Sequence, residues 1–172
     1  IAAVIIASLC LLLSGCDKSE VKETSTAGAY YLMFSEIAEQ RVDLTEYKYL
    51  SFDKASTGLE GEELDILEGM IKEYCEEKGL AYLDMDMTRL RRSFRIVTGA
   101  KGKEFQNGYL LTFSNCGSYV DDELGEVFTG NVEFWHGDFS AVGGLDFKII
   151  KTEKGWYIQR SLENGGYDVM IS

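Results

Sequence analysis

The sequence predicts an α+β domain in which N-terminal helices pack on a curved, mainly antiparallel sheet. Three observations carry this. Apolar residues recur at helical spacing in 29–41 and 60–78. From residue 108 onward, short runs rich in Phe, Tyr, Val and Ile are separated by glycine-containing turns, as strands are. Helices come first and strands last, which is the α+β order and not the alternation of a parallel α/β sheet.

Taken along the chain, Tyr30, Met33, Phe34 and Ile37 fall on one face of a helix over 29–41. YKYLSFD, 47–53, is short and aromatic-rich and reads as a strand. Thr57 precedes Glu60 by three, a capping-box spacing. Beyond it Leu64, Leu67, Ile71, Tyr74 and Cys75 form an apolar stripe, with acidic residues opposite and Gly79 at the left-handed cap position. This predicts a helix over 60–78. LAYLDMD, 80–86, alternates as a strand does. TRLRRSFRIV, 88–97, reads as a short helix with Leu90, Phe94 and Val97 inward and arginines outward. Strands follow at 108–114, at 126–136 with a bulge or turn near Gly130, at 145–151 and at 155–162. Thr152-Glu153-Lys154 makes a short hairpin loop between the last two. The sequence has no internal repeat.

Composition narrows the function classes. Lys and Arg number 17 against 29 Asp and Glu, a net charge of −12. That argues against a nucleic-acid binder, which carries a basic face, and against adhesion of the body as a whole to anionic lipid or anionic wall polymer. Aromatic residues make up 12% of the chain, so the body has enough apolar surface to form a core and is not a disordered acidic tail.

Residues 1–13 carry no charge and run into Ser14-Gly15-Cys16, so that the stretch closes on Leu13-Ser14-Gly15-Cys16. The run is shorter than the roughly 20 residues that cross a bilayer. Its length suits the apolar region of a signal peptide. Leu13-Ser14-Gly15-Cys16 resembles the lipobox of bacterial lipoproteins. The resemblance implies cleavage before Cys16 and a diacylglycerol, with a further acyl chain such as palmitate, on that residue. Each buried CH₂ contributes about 0.8 kcal/mol, so two or three acyl chains hold a protein at a membrane without a span. An ordinary secretory signal and a single-pass anchor whose start is missing stay open beside it. On the lipobox reading residues 1–15 are signal peptide, 16–28 a lipidated flexible tether, and 29–172 a single domain on the extracytoplasmic side of the cell membrane.

With Cys10 in the signal and Cys16 acylated, Cys75 and Cys116 remain. A disulfide between them and two free thiols both stay open, with Cys75 on an apolar helix face favouring the free thiol. His136 is the one histidine of the chain. With Cys116 and Asp138 it could make a nucleophile, base and orienting group, although no local signature of such a set surrounds them. His and thiolate ligands are too few to suggest a transition metal. Asp121-Asp122-Glu123 and Asp84-x-Asp86 lack the calcium-loop spacing. No cofactor is expected, since the phosphate-loop and dinucleotide fingerprints are missing. The unusual run is basic: Arg89, Arg91, Arg92, Arg95, Lys101 and Lys103 reverse the local charge of an acidic chain. These side chains either pair with helix 60–78 or stand in solvent, or else they meet anionic lipid headgroups or an acidic patch on a partner. The surplus aromatics suggest a ligand pocket under the curved sheet.

The segment from Phe139 to Ser172 is similar to a group of small uncharacterised exported proteins of Gram-positive bacteria. The shared features are Ser140-Ala141-Val142-Gly143, Lys154-Gly155-Trp156 and the Ile171-Ser172 end, together with the strand–helix–strand at 46–86 and the Leu90 segment. The order of elements resembles cone-shaped, cystatin-like or nuclear-transport-factor-like folds. The resemblance implies a fold and no activity. The expectation is a membrane-anchored, non-enzymatic lipoprotein that binds a protein or a small ligand, and no nucleic acid. Two alternatives are a hydrolase using Cys116 and His136, and a structural or inhibitory module acting through the basic 89–103 patch.

Overall fold

The structure, a computed structural model, describes residues 20–159 and 167–171; Cys10, Cys16 and Gly165-Gly166 lie outside the described residues. Three helices, α1 (Thr26–Gln40), α2 (Gly61–Lys78) and α3 (Met87–Arg92), accompany a curled mixed sheet that forms a half-barrel. Its strands are β1 (Glu20–Val21), β2 (Tyr49–Phe52), β3 (Ala81–Leu83), β4 (Ile96–Gly99), β5 (Gly102–Phe105), β6 (Gly108–Asp121), β7 (Gly125–Gly137), β8 (Ser140–Thr152), β9 (Gly155–Ile158) and β10 (Asp168–Ile171). The spatial order is β1-β9-β8-β7-β6-β2-β3; β10 extends the edge of β8, and β5 joins the upper end of β7. Strand β2 runs parallel to β3 and β6, and the other pairings are antiparallel.

One face of this sheet is filled by α1. Phe34 stacks on Phe134 of β7 at 5.7 Å between ring centroids and meets Tyr74 of α2 edge-on at 4.9 Å. Tyr30 lies 5.1 Å from Phe113 and 5.0 Å from Phe128, and its hydroxyl donates to the carbonyl of Thr57. The start of α1 comes so close to β9 that a Cβ on Gly28 would collide with the Glu23 carbonyl and the Trp156 ring. The Trp156 indole N–H donates to the Ser25 carbonyl at 2.7 Å and ties that end of the helix down. Phe34, Phe128, Phe134, Phe147 and Trp156 are each no more than 1% exposed, so the expected aromatic pocket under the sheet is solid core.

Helix α2 buries Leu67, Ile71, Tyr74 and Cys75 as its stripe requires, and Gly79 caps it at φ 71°. The capping box does not form. Gly58 turns the chain left-handed at φ 70°, which leaves the Thr57 hydroxyl to bond Lys54 and Leu59, while the side chain of Glu60 makes no cap bond. Residues 20–28, expected within the tether over 16–28, belong to the fold: β1 pairs with β9, and α1 begins at Thr26. The register shift between Gly130 and Val132 is the irregularity expected near Gly130. Strand β9 ends at Ile158, and residues 160–162 of the strand expected over 155–162 lie outside the described residues.

The helix expected over 88–97 ends at Arg92. Val97 enters β4, and Phe94 points into solvent instead of sharing the inner side with Leu90. The β4–β5 hairpin has too few apolar residues to stand out in sequence. It forms because Phe105 and Ile96 pack with Leu90, Leu110 and Trp135 in a second small core on the sheet face away from α1. Replacing Phe34 with Ala should destabilise the domain by about 3–5 kcal/mol in chemical denaturation, since the crossing of α1 over β7 is built around that ring. A loss below about 1 kcal/mol would show that α1 is not the central prop.

Candidate functional site: the basic face at the end of helix α3

Asp86 starts α3 as an N-cap residue should, its carboxylate accepting from the Arg89 N–H at 2.6 Å. Leu90, fully buried, pins the helix to the second core. The helix then ends in a Schellman turn. The Phe94 N–H donates to the Arg91 carbonyl and the Arg95 N–H to the Leu90 carbonyl, each at 3.1 Å. The residue in the left-handed position of this motif is ordinarily glycine. It is Phe94, with φ 58°, and it is 87% exposed. A bulky side chain in that region strains the backbone, and Phe94 buries almost nothing in return.

Arg91, Arg92 and Arg95 flank Phe94 along the chain. The Arg95 guanidinium lies 4.3 Å from the Tyr49 ring centroid, and the Lys48 ammonium lies 5.4 Å from the same ring. Tyr49 stacks on Phe105 with 12° between the planes, so Arg95 rests on a fixed aromatic platform. Hydrogen bonding to Arg95 first, and to Lys48 second, holds the Tyr49 hydroxyl below the usual tyrosine pKa. Arg91 and Arg92 are exposed. Among the described residues no carboxylate lies within ion-pair distance of Arg91, Arg92, Arg95, Lys101 or Lys103. Pairing of the basic run with α2 is not observed. Arg89 faces Asp84 at 3.6 Å, and Glu68 of α2 pairs instead with Lys54 and Lys72.

The six-residue patch is also divided. Arg89, Arg91, Arg92 and Arg95 cluster at α3, whereas Lys101 and Lys103 occupy the far end of the β4–β5 hairpin, where Gly99 faces Gly102. There they line a cleft of about 390 Å³ with Glu104, His136, Asp138 and Phe139.

His136 sits in β7 against the rings of Tyr47 and Tyr109, which also touch each other. Its Nδ1 lies 2.9 Å from the Gly108 carbonyl, which can only accept, so Nδ1 carries the proton and Nε2 faces Glu104 at 3.5 Å. Cys116 occupies the β6 bulge, near where Ser114 pairs with Asn131. Asn131 is five residues from His136 along β7, or roughly 17 Å at the rise of a strand. Asp138 does not orient the imidazole; its carboxylate accepts from the Lys103 N–H. The Cys116–His136–Asp138 set is therefore not assembled.

Both remaining cysteines are free, with Cys75 buried and Cys116 partly so. Burial, chiefly, pushes the Cys75 thiol up to about 12 and raises that of Cys116, the reverse of what activates a nucleophile. The acidic clusters have structural work: Asp121 accepts from the Glu123 and Leu124 N–H groups in its turn, and Asp84 pairs with Lys54 and Arg89. No family model, curated protein or solved structure matches the chain.

Phe94 was missed as a surface feature because the arginine spacing extends a helical pattern through Arg95. The absence of a glycine after Arg92 gave no stop signal. Phe94→Gly should stabilise the domain by up to about 1.5 kcal/mol in urea denaturation: about 1–2 kcal/mol of relieved left-handed strain, less about 0.5–1 kcal/mol for the freedom of glycine in the unfolded chain. A clear loss of stability would show that the ring holds the fold together. In the native protein Cys75 should resist alkylation at neutral pH and become reactive only on unfolding. Rapid labelling of Cys75, followed by mass spectrometry, would contradict its burial.

Proposed function

We propose that the chain is a membrane-anchored extracytoplasmic lipoprotein, held through acyl chains on Cys16, with a non-enzymatic α+β domain that binds a partner or ligand at its surface. The observation that carries this reading is the uncharged run ending in Leu13-Ser14-Gly15-Cys16. The short distance from there to the fold supports it. Residues 17–19 alone separate Cys16 from β1, and four Cα steps span at most about 14 Å. Among the described residues no helix is long and apolar enough to cross a membrane. Surface binding is favoured over catalysis by the separation of Cys116 from His136 and by a sheet face filled with core.

The direct test is mass spectrometry of the mature N-terminus after expression in a bacterium. The expected product begins at Cys16 and carries lipid, and Cys16→Ala should move the protein out of the detergent phase. Recovery of an unmodified peptide spanning Gly15-Cys16 from most molecules would sink the reading.

A further inference from the structure

We propose that Phe94, flanked along the chain by Arg91, Arg92 and Arg95, docks onto the anionic phospholipid surface to which the domain is tethered, the ring entering the headgroup layer and the guanidinium groups binding lipid phosphates. The proposal rests on the lipid-anchor reading for its geometry. Residues 17–19 keep the start of β1, at one edge of the sheet, within about 14 Å of the lipid-bearing residue, and the rest of the acidic domain follows it to the bilayer. A body of net charge −12 is repelled by an anionic leaflet unless it turns a basic face to it. The end of α3 is such a face, since among the described residues no carboxylate lies within ion-pair distance of Arg91, Arg92 or Arg95. Asp84 bonds Lys54 and Arg89, and Asp86 caps the opposite end of the helix.

Phe94 supplies the second argument. An exposed apolar side chain needs no explanation by itself. A phenylalanine in a left-handed position that glycine would fill without strain does, and strained, unburied residues concentrate where a surface acts. Planar guanidinium groups match phosphate oxygens in pairs, and an aromatic ring among them adds apolar area that the headgroup region can cover. Arg95 is already oriented by Tyr49, and Tyr49 by Phe105, so little side-chain freedom is lost on contact.

The experiment uses the full chain carrying Phe94→Trp, with the parent protein as reference for Trp135 and Trp156. Vesicles of phosphatidylcholine, with and without phosphatidylglycerol, carry brominated acyl chains as quenchers. The introduced tryptophan should be blue-shifted and quenched on the vesicles containing phosphatidylglycerol and not on phosphatidylcholine alone. Raised salt should reverse the effect. Arg91→Gln and Arg92→Gln should each lower the docked-to-undocked ratio about fivefold. These are exposed positions, and near-UV circular dichroism confirms that the variants fold. Quenching that is equal on both vesicles, absent on both, or unchanged in the arginine variants overturns the proposal. Protection of the tryptophan by soluble polyglutamate in preference to phosphatidylglycerol also overturns it, and assigns the face to an acidic protein. The acylation state of Cys16 in the same preparation is read separately. An unmodified Cys16 defeats the anchor reading, whereas added vesicles still report on Phe94.

Discussion

The packing of α1 across the curled sheet is the constraint on which the rest depends. Phe34 and Tyr30 reach rings from β6, β7 and α2 in one contiguous cluster, and Trp156 clamps the first turn of the helix to β9. A curled sheet leaves a trough, and a trough left empty would be a binding site or a void. Here it is filled by buried side chains that make few polar demands, which is what stabilises a domain of this size. The consequence for function is that recognition moves to the periphery.

The periphery is uneven. Most of it is acidic and solvated, with charges paired locally, as Lys54, Glu68 and Lys72 are. The sheet face away from α1 needs its own cover near Leu110 and Trp135, and the chain supplies α3 and the β4–β5 hairpin. That cover is thin. A helix of six residues held by Leu90 must end abruptly, and its end projects a cluster of arginines and one aromatic ring. The basic face is therefore a by-product of how the second core is closed, although the choice of phenylalanine over glycine at the turn is not.

The elements legible in sequence are those whose signal is local. The stripe Leu67, Ile71, Tyr74 and Cys75 with Gly79 behind it marks α2 because burial on one side repeats every 3.6 residues. The core of β6 to β9 was legible from its β-branched and aromatic runs, and so was the irregularity near Gly130. Thr57 and Glu60 had the spacing of a capping box, yet the left-handed turn at Gly58 placed them in different local structures. Residues 20–28 read as tether because two paired residues of β1 carry no pattern of their own; the partner strand, more than a hundred residues away, creates it.

By itself, then, the sequence determined the α+β class, the two long helices, the strand-rich second half, the acidic balance and the Leu13-Ser14-Gly15-Cys16 motif, all properties of residues near one another in the chain. The tertiary structure alone decided that the aromatic surplus fills the trough, that Cys116 in the β6 bulge lies well away from His136 at the open end of the β6–β7 hairpin, and that Phe94 faces solvent. The first two depend on the pairing of distant strands, and the third on Leu90 being held in the second core while the turn after α3 points Phe94 outward. Strand register and the burial of α1 set which side chains meet, and a one-dimensional spacing holds no record of either.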